Sequence, residues 1–199
     1  MEYIFKSYYN DAMKEAELLE KILAGEPSAF KELFETYNSL VFNVCLKMLS
    51  NREDAEDVTQ DVFFTAYKSL KKFRAESKLS TWLYRIAVNL SLNFQRKKKI
   101  NQWLSLDFLL DNKPDEIPHS PEVNPLKDLE NSERERIVQN AVNSLPENQR
   151  AAVILQRYEN LSYEEIAKIM KCSVSSVESY LFRAKENLCK KLAPIIEDL

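Results

Sequence analysis

Trp82, Arg85, Asn89 and Asn93 fall at spacings of three and four, so on a helix they run along one side. They lie beside an apolar stripe, Leu79, Leu83, Ile86, Ala87 and Leu90, broad enough to anchor the segment "STWLYRIAVN" and its continuation to a core. The basic run Arg96, Lys97, Lys98, Lys99 follows at once. An indole, a guanidinium and two carboxamides beside a core stripe, with four bases downstream, make a basic-aromatic surface of the kind that faces nucleic acid.

The surrounding charge supports that reading. Residues 68–99 hold ten bases against one acid, Glu76. Just upstream, residues 53–61 hold five acids and no base, and residues 100–135 hold nine acids against three bases. The formal net charge of −3 hides this segregation. One segment suits a polyanion and its neighbour suits a basic protein surface.

Composition excludes several classes. The single glycine, Gly25, argues against phosphate-cradling loops, dinucleotide-binding turns and hairpin-rich sheets, which need positive φ. Cys45, Cys172 and Cys189 form no C-x-x-C pair, and their odd number gives no disulfide framework. Cys45 reads as a small buried hydrophobe and His119 as an exposed loop residue. No nucleophile–base–orienter set or metal constellation assembles from this inventory, so neither catalysis nor a cofactor is expected. No apolar run approaches the ~18 residues of a membrane span, and the acidic N-terminal segment is unlike a signal peptide. A cytoplasmic location without membrane insertion is the expectation.

The elements that must position these groups are helices. Helical periodicity runs from about residue 11 to 99, broken at "AGEPS" (24–28), "SNRED" (50–54) and "RAESK" (74–78). Residues 100–132 hold Pro114, Pro118, Pro121 and Pro125 with many acids and read as a linker. Helical pattern resumes from about 133. The expected architecture is all-α: two small helical domains, 17–99 and 133–199, joined by a flexible acidic linker at 100–132. An extension of unassigned role occupies 1–16.

The second domain has the sharper local syntax. Ser162 and Glu165 form an S-x-x-E capping box, with Leu161 and Ile166 as its hydrophobic staple. A short helix to about Met170 and a brief turn follow. Ser173 can then cap a second helix whose inward stripe is Val174, Val177, Leu181, Ala184 and Leu188. This is helix-turn-helix logic, in which the second helix enters a major groove by its N-terminal turns. An ordinary helical hairpin is the alternative. Upstream, Pro146 sits at a first helical position, with Val153, Ile154 and Leu155 supporting the pair. Arg150 is either a phosphate contact or a solvated side chain.

Two DNA-facing segments joined by a tether resemble the extracytoplasmic-function group of the sigma-70 family. The resemblance covers nearly the whole chain after about residue 17. It rests on "LLEKILAGEPSAFKELFETY", "DAEDVTQDVFFTAY", "FRAESKLSTWLYRIAVN" and "LPENQRAAVILQRYENLSYEEIAKIMKCSVSSVESYLFRAK" in that order. It implies a promoter-specificity subunit whose partners are core RNA polymerase, through the β′ coiled coil and the β subunit, and promoter DNA, both duplex and melted non-template strand. It also implies an anti-sigma partner wedged between the domains.

By position, the resemblance assigns Asp57, Gln60 and Asp61 to the polymerase, with Val58, Val62 and Phe63 turned inward. Phe73, Arg74, Ala75, Glu76 and Ser77 would shape a pocket for a base flipped from the −10 element. Asn89, with Asn93 beside it, would read a base edge, and Lys78, Arg85, Arg96, Lys97, Lys98 and Lys99 would hold phosphates. Trp82 either locks its helix or acts at the melted junction. Arg150, Ser175, Ser176, Glu178, Ser179, Phe182 and Arg183 would meet the −35 element. The chain departs from the family's commoner pattern at Glu178 and Tyr180, where basic residues usually sit, and at Lys171, a turn position often held by glycine. Its −35 preference is therefore not inherited. The competing function is a free-standing helix-turn-helix regulator, against which the acidic helix beside the basic one speaks.

Overall fold

The computed structural model describes residues 15–70, 73, 77–109 and 129–197, apart from the side chains of 27, 102–109, 129–135 and 194–197. These residues form helices α1 (15–23), α2 (Pro27–Leu49), α3 (Arg52–Ser69), α4 (Leu79–Leu109), α5 (Leu129–Asn143), α6 (Glu147–Arg157), α7 (Tyr163–Met170) and α8 (Val174–Glu197). No strand occurs among them. No helix of the described residues is long and apolar enough to cross a membrane.

Local chemistry sets the breaks. Gly25 takes φ 83, which costs a glycine little, and Pro27 opens α2 where its missing N–H is no loss. Ser50 closes α2 in the left-handed region at φ 57, and its amide donates to the Leu46 carbonyl. Asn51 then caps α3 by accepting the Asp54 amide at 2.8 Å. The three sequence breaks at 24–28, 50–54 and 74–78 all separate helices.

Helices α2, α3 and α4 form the first bundle. Leu33, Val41, Val44, Met48, Val58, Val62, Leu79 and Leu83 are buried in it, each such side chain stabilising the fold by about 1.5–3 kcal/mol. Cys45 is buried with them, beside the Thr59 and Ser91 hydroxyls, and burial pushes its thiol above the ordinary value. Helix α1 contributes buried Leu18, and its Glu15 carboxylate accepts the amide of Leu79. That amide opens α4 and has no partner within its own helix.

In the second domain, α6, α7 and α8 enclose Ala151, Ile154, Leu155, Ile166, Ile169, Val177 and Ala184. The two domains pack against each other, α7 on α4 and α6 on α2, so one hydrophobic core runs through both. This explains a burial pattern the single stripe of α4 misses: Tyr84, Val88 and Leu92 are buried too, on a second stripe at i, i+4, i+8.

Three sequence expectations need correction. Helix α4 continues to Leu109, and α5 begins at Leu129, so the nonhelical link is shorter than 100–132. The residues from 100 to 109 contain no proline or glycine, and leucine-rich sequence sustains the helix that Lys99 was expected to end. Val174 is 36% exposed and does not join the inward stripe of α8, because it is the first residue of that helix, beside the turn. Pro146 stands at the cap, one residue before α6 begins. The N-terminal extension before residue 15 and the link at 110–128, including the proline cluster and His119, lie outside the described residues.

Candidate nucleic-acid interface

On α4 the expected basic-aromatic side divides into three. Asn89 and Asn93 are exposed and free to meet a ligand. Trp82 is half-buried, its ring tilted against Phe73 at 5.1 Å between centroids, and its amide donates to the Lys78 carbonyl. The Phe73 amide in turn donates to Leu70. Trp82 thus packs the start of α4 against the segment between α3 and α4. Ser77 is half-buried and Lys78 exposed, whereas Arg74, Ala75 and Glu76 lie outside the described residues.

Four of the five cations of α4 are engaged. Both Nε and Nη2 of Arg85 donate to the Lys168 carbonyl on α7, at 3.1 and 2.8 Å. Arg96 Nε meets Glu147 Oε2 at 3.1 Å, and Lys99 Nζ meets Oε1 of the same carboxylate at 3.4 Å. Lys98 pairs with Asp54 of α3 at 2.6 Å. Lys97 is exposed. Next to Arg85, buried Tyr84 donates its hydroxyl to Glu159 at 2.5 Å; burial, reinforced by that carboxylate, raises its ionisation well above the usual phenol range.

Arg150 is at the centre of the same joint. Its guanidinium is buried and donates to the Asn143 carbonyl at 3.0 Å and to Gln95 Oε1 at 2.6 Å. In this arrangement it braces α6 against α4 and is not on the reading surface of the second domain. Burial lowers its pKa from the ordinary arginine value, partly offset by nearby Glu147.

Helix α3 presents the acidic side. Asp57, Gln60 and Asp61 are exposed, and Val58, Val62 and Phe63 are buried, the division the sequence implies. Phe64, which sequence reasoning passed over, continues that outer stripe one turn on and is 58% exposed. Lys68 Nζ lies 3.8 Å from its ring centroid. The spacing 57, 60, 61, 64 was the signal for it.

The helix-turn-helix is built as its capping residues dictate. Ser162 Oγ accepts the Glu165 amide at 3.3 Å and Glu165 Oε2 accepts the Ser162 amide at 2.9 Å, completing the box. Leu161 packs on the core that holds Ile166. Lys171 takes φ 53, and the Cys172 amide reaches back to the Ala167 carbonyl, ending α7. A lysine there carries a left-handed cost that glycine would not. Ser173 Oγ accepts the Ser176 amide at 3.1 Å and caps α8. Along the outer side of α8, Ser175, Glu178, Ser179, Phe182 and Arg183 are exposed and Ser176 is half-buried. Phe182 and Glu178 also border an apolar groove of about 1100 Å3 shared with Val138, Tyr163, Leu181 and Leu188. Among the described residues no His, Cys, Asp or Glu group is placed to hold a metal.

Comparison with known proteins gives this geometry its context. The chain matches the Sigma-70 region 2 family model over residues 33–100 and the Sigma-70, region 4 model over 135–188. It is 38% identical to an ECF RNA polymerase sigma-E factor of Haemophilus influenzae, over 90% of this chain and 95% of that protein. It is 33% identical to the RNA polymerase sigma-H factor of Pseudomonas aeruginosa, over 93% and 97%. Among solved structures, the sigma factor RpoE in complex with the anti-sigma factor NepR, from Bartonella quintana, aligns with a TM-score of 0.61 at 25% identity, covering 82% of this chain and 96% of that one. CnrH in complex with the cytosolic domain of CnrY shares the fold at a TM-score of 0.65 and 20% identity, over 90% and 97%.

Proposed function

The chain belongs to the extracytoplasmic-function group of the sigma-70 family, and on that premise we propose how its surfaces divide the work of a sigma factor. The first domain docks on core RNA polymerase through α3. Asp57, Gln60 and Asp61 meet a basic surface, and Phe64 gives that contact apolar area that individually weak surface ion pairs lack. Helix α4 receives the melted non-template strand: Asn89 reads a base edge and Arg85, Arg96, Lys97, Lys98 and Lys99 hold phosphates. The second domain reads the −35 duplex with α8, where Glu178 can accept from a cytosine amino group.

The order of features along one chain carries the reading. An acidic docking helix, a basic-aromatic helix and a helix-turn-helix follow each other in the family's sequence. The relatives above are sigma factors, which leaves the free-standing regulator without support. Work on promoter DNA places the protein in the cytoplasm, where it serves as an initiation factor with no chemistry of its own. An anti-sigma partner fits the two aligned complexes. The test is reconstitution: purified chain and core polymerase should initiate at defined promoters, and core polymerase alone should not.

A further inference from the structure

A cavity of about 440 Å3 lies where α4 meets the start of α6, with Gln95, Lys98, Lys99, Asn143, Glu147 and Arg150 in its lining. Small-ligand sites span roughly 300–1,000 Å3 and are mostly apolar. This one carries three cations against one carboxylate. Arg150 is 8% exposed, and the acceptors it meets, the Asn143 carbonyl and Gln95 Oε1, are both uncharged. Its Nε is buried and has no hydrogen-bond partner. A buried guanidinium with an idle donor and no carboxylate bonded to it is a group still short of an anion.

Helix α6 begins in the same lining. Pro146 stands at its cap and supplies no side-chain hydrogen bond, so the amides of Glu147, Asn148 and Gln149 leave the positive end of the helix uncapped. Lys98 and Lys99 reach the cavity from α4. Their side chains are 52% and 62% exposed, and their pairs with Asp54 and Glu147 are of the weak surface kind. The Glu147 carboxylate is drawn toward Arg96 and Lys99, at 3.1 and 3.4 Å.

We propose that this cavity is a binding site for a small phosphate-bearing anion, a diphosphate group above all. The anion sits between the start of α6 and the ammonium groups of Lys98 and Lys99, with the Arg150 guanidinium as the floor. The donor set suits phosphate oxygens: helix N-terminal amides point at them, a planar guanidinium matches them in pairs, and ammonium groups neutralise their charge. A volume of about 440 Å3 exceeds what one tetrahedral ion fills, which favours a diphosphate over a single phosphate. The site stands on the cavity and its donors, so it holds whatever the two domains bind elsewhere.

Titration of the full chain with inorganic pyrophosphate tests it. In proton–nitrogen correlation spectra the backbone amides of Glu147, Asn148 and Gln149 and the Nε–H of Arg150 should shift together and saturate. Sodium chloride at matched ionic strength should not reproduce those shifts. The double variant Lys98→Gln, Lys99→Gln changes two exposed side chains and should keep the fold. It should weaken pyrophosphate binding about tenfold, as loss of charge-assisted contacts implies. Lys31→Gln, an exposed lysine of α2 outside the cavity, should leave the affinity unchanged. Shifts absent from the start of α6, shifts matched by chloride, or an affinity that the double variant retains would each overturn the proposal. A short thymidine oligonucleotide forms the second arm. If it moves the same amides and pyrophosphate does not, the cavity serves a DNA backbone and the small-anion site is refuted.

Discussion

The two surfaces proposed to meet DNA differ in how they are kept. On α8, Ser175, Glu178, Ser179, Phe182 and Arg183 stand exposed, held from behind by Val177 and Ala184. On α4, Arg85, Arg96 and Lys99 are spent on groups of the other domain, while Asn89 and Asn93 remain exposed. A duplex-reading surface needs only a rigid helix with a clean outer side. A strand-opening surface is a dense array of cations, and cations left together repel one another or find partners. In this chain the second domain supplies the partners of Arg85, Arg96 and Lys99, and Asp54 of α3 supplies that of Lys98.

The contrast breaks first at Arg150. Replacing this buried guanidinium with alanine removes its bonds to the Asn143 carbonyl and Gln95 and should lower unfolding free energy by about 3 kcal/mol. Urea denaturation would show it, while Arg183→Ala, on the exposed side of α8, should leave the midpoint unchanged. Next come the two side chains proposed to read bases. Asn89→Ala should cost about 1–3 kcal/mol of base discrimination at the −10 element without loss of melting temperature, read by initiation on a promoter library. Its exposure predicts that separation of effects, and a sharp fall in melting temperature with no promoter effect would make Asn89 structural. Glu178→Ala should alter the −35 preference by a comparable amount.

A smaller effect is expected at Lys171, whose φ of 53 favours glycine. Lys171→Gly should stabilise the protein by about 1 kcal/mol, visible as a raised urea midpoint, with promoter choice intact. The smallest concerns Tyr84, whose ionisation is raised by burial beside Glu159. A raised folded-state value for an acid that is neutral when buried means its contribution is complete below the unfolded value of about 10 and declines as pH climbs above it. Stability measured by denaturant should fall more steeply above that pH in the parent than in Tyr84→Phe.

Much of this was readable from residues that act locally. Ser162, Glu165 and Ser173 make the caps their spacing announces, and Asp57, Gln60 and Asp61 face outward because Val58, Val62 and Phe63 must face in. What escaped was long-range. Arg150 looked like a surface cation because nothing in its neighbourhood names Gln95, 55 residues away, as its acceptor. Tyr84, Val88 and Leu92 form a visible second stripe, yet a stripe does not say which element covers it. The end of α4 at Leu109 is hard to read because nearby acids and distant prolines mask the leucines and the absence of helix breakers in residues 100–109. Nor does the pattern around Trp82 name Phe73 as the ring it packs against.

A sigma factor gives core RNA polymerase its promoters, and this chain should do so on its own addition. The most direct test is to sequence the 5′ ends of transcripts made on genomic DNA by purified core polymerase with and without the chain. A set of start sites should be present only with the chain and share two upstream elements, one at −10 and one at −35. Start sites indistinguishable from those of core polymerase alone would contradict it.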